Sequence, residues 1–373
     1  MNIKNLYLLF PAIVLIFSVY IRLNFWPFVN LLGTYQGDWW YFYHYYGQYI
    51  AHSFFFPIEY PVGYILIQKF AYFISMLLGG FSYQNFILGN AFIFIPAGLL
   101  IFVCLDRLAT IVNSKSKRFI IYLTASPTFL IASTTNYDLL PTLLTLLAIL
   151  LLIKNQSKLA FLILALGTTV KIYPGFLLPL FILYQLGKKS IILPLIIFIT
   201  TIVLINLPFA LYNFQFWLFP YTWQSQNPQM YDFNTLSYYL IYFGFDHYRT
   251  LLLFSLLLIA WFISWFFYKK SSLTNKNFLL LCYLTIFTAV LGNHVNTPQY
   301  MLWFLPFVSL LQIPAISIWW PFDLINSTVL FSYFRLTHEL RFILDIIFRF
   351  IVIYFIFLYL RLIYELKKCY EKD

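Results

Sequence analysis

Apolar runs of helical length dominate this chain, and short polar segments separate them. The first run, "NLYLLFPAIVLIFSVYIRLNFW", lacks the small-residue cleavage site of a signal peptide and predicts a retained helix over about 5–26. Two more follow, "YPVGYILIQKFAYFISMLLGG" and "NFILGNAFIFIPAGLLIFVCL". Later runs predict spans at about 85–105, 119–134, 138–153, 159–170, 172–186, 190–212, 249–268, 277–292, 299–312, 313–333 and 342–364. The pair within 159–186 is short for two full crossings, which suits helices whose ends meet protein or a cavity.

The polar separators are not alike. Basic clusters stand at "DRLATIVNSKSKR" (106–118), "KNQSK" (154–158), "GKK" (187–189), "KKSSLTNK" (269–276) and in the tail "ELKKCYEKD". The positive-inside rule places all of them in the cytoplasm, and Lys4 places the N-terminus there too. Two apolar runs separate the first helix from the basic loop at 106–118. If both crossed, that loop would lie outside. The run that carries Gln68 and Lys69 and opens on Pro61 is therefore expected to lie along the outer surface. Residues 27–84 then form one large external segment with surface helices, and 213–248 a second. The expected fold is an all-α polytopic membrane protein, residues 1–373 as one domain, with about twelve crossings and both termini cytoplasmic.

Composition agrees with lipid as the solvent. The 373 residues are 62% hydrophobic and 9% charged, against roughly 25% charged in a soluble domain. The net charge of +11 comes largely from the loop clusters that set orientation, so no nucleic-acid partner is expected. The three cysteines have no metal-ligand spacing, which predicts neither disulfide nor zinc.

Once the topology is drawn, the polar residues that are costly in lipid fall mostly on the outer side. Asp38 stands in "GTYQGDWWYFYHYYGQ", among aromatics and tyrosine hydroxyls. Glu59 and Tyr60 open the second apolar run. Asn136 and Asp138 sit at the mouth of the helix "LLPTLLTLLAILLL", where an acid also suits the helix dipole. Lys171 lies at the turn between two short helices, in "TTVKIYPGF", beside Tyr173. There it could meet a lipid phosphate together with the next helix's N–H groups, or it could simply snorkel. His294 and Gln299 fall at a further outer turn, "GNHVNTPQY", and Arg335 beyond it. Nucleotide-binding and hydrolase motifs are absent, and the cytoplasmic loops are too short for a nucleotide-sugar domain. An activated sugar would have to arrive on a lipid.

An early Asp in aromatic company ("GDWWYFYHYY"), then "EYPVGY", "NYDLLPTLLTLLAI", "TTVKIYPGFLLPL" and "TPQYMLWFLPF" in this order resemble the membrane glycosyltransferases of the GT-C fold. Within these they resemble the polyprenol-phosphate-mannose-dependent mannosyltransferases, which include relatives of the GPI-anchor enzymes and glycosyltransferase family 87. The likeness covers roughly residues 5 to 310. Where that family often has Tyr-Pro-Pro, this chain has Tyr60-Pro61-Val62. The resemblance implies inverting transfer of a hexose, mannose in the commonest case, from a polyprenyl or dolichyl phosphate to a glycan or glycolipid hydroxyl on the outer face. A prokaryotic plasma membrane is the expected location. It implies Asp38 as general base, Lys171 at the donor phosphate, and Asp138 nearby. Asn136, Glu59, Tyr60, Tyr173, His294, Gln299 and Arg335 complete the expected substrate site.

The chemistry fits these parts. One positioned base suffices for inversion by direct displacement. A phosphate monoester leaves as an anion and asks for a cation more than for a proton, so neither metal nor cofactor is expected. The competing classes are a lipid-linked sugar transporter, which would tend to show repeated halves and a midplane site, and a glycan polymerase or ligase with a pyrophosphate-linked donor.

Overall fold

The computed structural model describes residues 8–31, 37–112, 118–133, 136–186, 190–226, 236, 240, 243–245, 248–270, 273–293, 298–313, 316–332 and 338–370. Among them the regular structure is helical. It begins with α1 (Leu9–Leu31), α2 (Gly37–His52), α3 (Val62–Leu77) and α4 (Tyr83–Ile111). Next come α5 (Arg118–Thr124), α6 (Pro127–Ala132), α7 (Leu139–Ile153), α8 (Ser157–Val170), a 3-10 turn (Tyr173–Leu177) and α9 (Leu178–Gln185). The last part holds α10 (Ile192–Tyr212), α11 (Phe214–Gln226), α12 (Arg249–Lys270), α13 (Asn275–Gly292), α14 (Met301–Leu311), α15 (Ile316–Ser332) and α16 (His338–Tyr370). By length and composition α4, α10, Thr250–Lys269 and α13 can each cross a membrane, and shorter apolar helices accompany them.

Two elements differ from the sequence expectation. The span expected at 119–134 breaks into α5 and α6. Pro127 takes the first position of α6, and the Ser126 hydroxyl caps it by accepting from the Phe129 N–H at 3.1 Å. The second long separator begins as helix α11 rather than as loop.

Polar clips join α2, α3 and α4. Lys69 donates to the carbonyls of Ile50 (2.8 Å), Tyr49 (3.5 Å) and Ser53, and so caps the C-terminal end of α2. The Gln68 amide donates to Asn90 at 3.3 Å, and Asn90 donates back to the Phe86 carbonyl at 2.9 Å, joining α3 to α4. These are the two polar residues that interrupt the apolar run in the sequence, and both are used by protein partners. Close backbone approach does the rest. A Cβ on Gly89 would meet the Ala71 carbonyl oxygen at 2.3 Å, and one on Gly63 would meet the Thr169 carbonyl oxygen at 2.7 Å. The first contact seats α3 on α4, and the second seats the start of α3 on the end of α8.

The core lies on α13 and α14. Every residue of α13 from Asn277 onward is buried, as is α14 from Met301 to Leu310. Around them α4, α5, α7, α9 and α12 pack, while α10 and α12 keep exposed apolar faces. Residues beyond 313 brace this core. Asp323 on α15 is fully buried and accepts from the Ser126 hydroxyl at 2.5 Å and from the Thr128 hydroxyl and backbone N–H. A carboxylate thus holds α15 to the start of α6, and α16 packs along α13.

Because the obstacle at Gly89 is a backbone oxygen, Gly89→Val is expected to destabilise the protein by about 1–3 kcal/mol. A thermal-unfolding midpoint in detergent equal to that of wild type would contradict the α3–α4 contact.

Candidate functional site at one end of the bundle

The sequence alternates between the two ends of the bundle at each helical hairpin. The tight turn Lys154–Gln156, with Asn155 in the left-handed region at φ 60°, reverses α7 into α8. Asp138 therefore precedes α7 at the same end where Lys171 follows α8. Gln299 and Tyr300 precede α14 at that end as well.

Asp38 lies in the first turn of α2, where the helix dipole favours an acid. It is 9% exposed, and the fully buried Asn136 donates from Nδ2 to its Oδ2 at 2.8 Å. Residues 98 apart in sequence thus meet through a charge-assisted hydrogen bond that fixes the direction of the carboxylate.

Two residues on, Asp138 makes the second polar centre. It occupies the position before α7 but makes no capping hydrogen bond. Its Oδ1 instead accepts from the Lys171 ammonium at 2.6 Å and from the Trp303 indole N–H at 2.5 Å. Asp138 is fully buried, and the Lys171 side chain is 14% exposed. The other oxygen, Oδ2, is buried and has no hydrogen-bond partner among the described residues. The cation is further held by rings. Lys171 Nζ lies 4.6 Å from the Tyr300 ring centre, 4.9 Å from that of Trp303 and 6.0 Å from that of Tyr60. Trp303 stacks on Tyr173 and on Tyr300, both at 4.2 Å. The Tyr173 hydroxyl meets the Thr142 hydroxyl of α7 at 3.1 Å.

Tyr137 joins the two centres. Its ring packs against Tyr64 at 4.0 Å, Phe42 at 5.3 Å and Phe94 at 5.8 Å. Tyr60 extends the same wall to Phe42 and Tyr64. The Cα atoms of Asn136 and Asp138 can lie at most about 7 Å apart. The carboxylate on α2 and the lysine after α8 therefore belong to one site.

Glu59 forms a third cluster, beside α2. Tyr41 donates to its Oε1 at 3.0 Å and Tyr46 to its Oε2 at 3.4 Å. Burial first, and then the Glu59 charge, raise both phenols: Tyr41 well above the usual range and Tyr46 to about 12. Both stay protonated at physiological pH and act as donors to the carboxylate.

The structure thus brings together Asp38 with Asn136, and Asp138 with Lys171, Tyr60 and Tyr173. Glu59 joins through its neighbour Tyr60. Gln299 is buried beside Tyr300. His294 and Arg335 lie outside the described residues. Asp138 bonds Lys171 and Trp303 rather than serving the helix dipole alone, and snorkelling does not account for Lys171, which is ion-paired among aromatic rings. Trp303 and Tyr300 were missed as functional candidates. The signal was an indole N–H inside an apolar helix, a donor that needs an acceptor. Arg22 was also missed. It is buried on α1, with its guanidinium 5.5 Å from the Trp39 ring centre, directly after Asp38 in sequence.

The family and fold comparisons together define the chain as a GT-C membrane glycosyltransferase. Residues 69–291, more than half of the chain, match the model of glycosyltransferase family 87, and the chain belongs to that family. The match contains Asn136, Asp138, Lys171 and Tyr173, whereas Asp38, Glu59 and Tyr60 precede it. The fold is similar to that of ArnT from Cupriavidus metallidurans, whose crystal structure has undecaprenyl phosphate bound. That likeness has a TM-score of 0.54 at 11% identity and covers 97% of this chain and 76% of the other. No match is found among curated protein sequences.

Removing one partner of a buried ion pair strands the other, at a cost of roughly 3–5 kcal/mol. Asp138→Asn is therefore expected to lower the unfolding midpoint in detergent, and Asp138→Asn combined with Lys171→Met to recover much of the loss. Strictly additive effects of the two single changes would rule out the coupling.

Proposed function

We propose that this protein moves a hexose, mannose in the first instance, from a polyprenyl-phosphate donor to a hydroxyl of a glycan or glycolipid, with inversion. The observation that carries this reading is the junction at 136–138. It sets the Asn136-bound carboxylate of Asp38 beside the Asp138–Lys171 pair. In the reaction Asp38 accepts the proton of the acceptor hydroxyl as its oxygen bonds to the anomeric carbon. The bond from that carbon to the phosphate oxygen breaks, and its electrons leave with the phosphate. Lys171 meets the charge that grows there. An ammonium carries three N–H donors, and Asp138 occupies one, so the lysine can bridge its partner and a phosphate.

A lipid-phosphate donor is further supported by the fold's likeness to a protein solved with undecaprenyl phosphate bound. The basic clusters at the opposite helix ends support the topology: about twelve crossings, termini in the cytoplasm, and the site on the outer face of a prokaryotic plasma membrane. Asp38, the base, precedes the family match. Its assignment rests on its bond to Asn136 and on the resemblance of "GDWWYFYHYY".

The test is transfer of labelled hexose from polyprenyl-phosphate-mannose by membranes carrying wild type, Asp38→Asn or Lys171→Met. Asp38→Asn is expected to lower kcat by about 10²–10⁴, and Lys171→Met to lower kcat and raise the donor KM. Equal rates for wild type and Asp38→Asn would remove Asp38 as the base. Transfer only from a pyrophosphate-linked donor would turn the reading to a ligase, and export of the lipid-linked sugar without transfer would turn it to a transporter.

A further inference from the structure

We infer that the face of α2 beside Glu59 is a subsite for a saccharide unit of the acceptor. This deepens the transferase reading and rests on it. Positions 38, 41, 45 and 49 recur at helical spacing and form one stripe. At 1.5 Å per residue the stripe runs about 16 Å from the carboxylate of Asp38. It starts buried at Asp38, is half-buried at Tyr41, and reaches the surface at Tyr45 and Tyr49, which are 62% and 50% exposed. The rings supply flat faces. Tyr41 and Tyr45 lie 4.9 Å apart, and Phe56 stacks nearly parallel on Tyr46 and Tyr49 at 5.8 and 5.7 Å.

The polar part of the face has an unusual balance. A phenol has one proton to donate, and Tyr41 and Tyr46 both direct theirs to Glu59. Burial and the Glu59 charge keep these protons in place. What the cluster offers a ligand is therefore lone pairs alone, on two phenol oxygens and a carboxylate. Its complement is a molecule that carries several O–H donors and a flat C–H face. A sugar ring has both. An acyl chain has no donor, and a choline headgroup has none either. A saccharide laid on this stripe would present its far hydroxyl to Asp38.

The test uses the protein in phosphatidylcholine nanodiscs with mannotriose or maltotriose as probe, read by saturation-transfer NMR. Wild type is expected to saturate the ring C–H protons. Tyr45→Ala with Tyr49→Ala is expected to weaken binding about tenfold, and Glu59→Gln to weaken it as well. Replacement of both tyrosines by Phe should keep the signal, which separates ring contact from damage to the fold. No saturation with wild type, an undiminished signal in the alanine variant, or equal saturation of glycerol would overturn the subsite. Labelled-donor transfer by the same wild-type sample separates the two levels. Sugar binding without any transfer leaves the subsite and removes the transferase reading. Transfer with an unaltered sugar signal in the alanine variant removes the subsite alone.

Discussion

The structure depends on a charge pair kept away from water. Lys171 and Asp138 terminate one helix and precede another, 33 residues apart, and meet at 2.6 Å. In a bundle surrounded by lipid neither could stay ionised cheaply alone. Their pairing sets how α7 and α8 dock, and so sets where Tyr137 and Asn136 lie. Asn136 in turn directs Asp38. One ion pair thereby orients a carboxylate on a helix that belongs to a different part of the chain.

Aromatic rings do the work that hydrophobic burial does in a soluble enzyme. Between helices in lipid there is little hydrophobic driving force, so packing and polar contacts must hold the parts. Here the rings of Phe42, Tyr60, Tyr64, Phe94 and Tyr137 interlock, edge to face or tilted, between α2, α3, α4 and the start of α7. On the other side of the site, Trp303 is fixed by two stacked tyrosines and by its bond to Asp138. The same rings give the ammonium of Lys171 an electron-rich enclosure, so structure and electrostatics share their side chains.

The helices were largely legible because each apolar run is long and bounded by charge. The expected span at 277–292 is α13 almost to the residue, and the mouth at Asp138 is the true start of α7. The break at Ser126-Pro127 lies inside an apolar run, where period and hydropathy stay silent and cap chemistry alone gives the sign. The site was legible as a set of positions on one side, because ionisable groups in an apolar chain stand out. The pairings were hidden. Nothing in the local sequence says that Asn136 serves Asp38 rather than a substrate, or that Trp303 closes on Asp138, since those partners lie 98 and 165 residues away. Asp323 was hidden for the same reason: its hydroxyl partners lie nearly 200 residues upstream on α6.

The approach of Gly63 to Thr169 carries one more consequence. The residue four places before Gly63 is Glu59, and the residue two places after Thr169 is Lys171. The distance between the Glu59 carboxylate and the Lys171 ammonium is thus gauged by a backbone approach where a methyl group is missing. The Thr169 hydroxyl oxygen lies 2.8 Å from the same point, so the seam has no room for a side chain on residue 63. The spacing of the site's two ends is measured by a ruler that does not stretch.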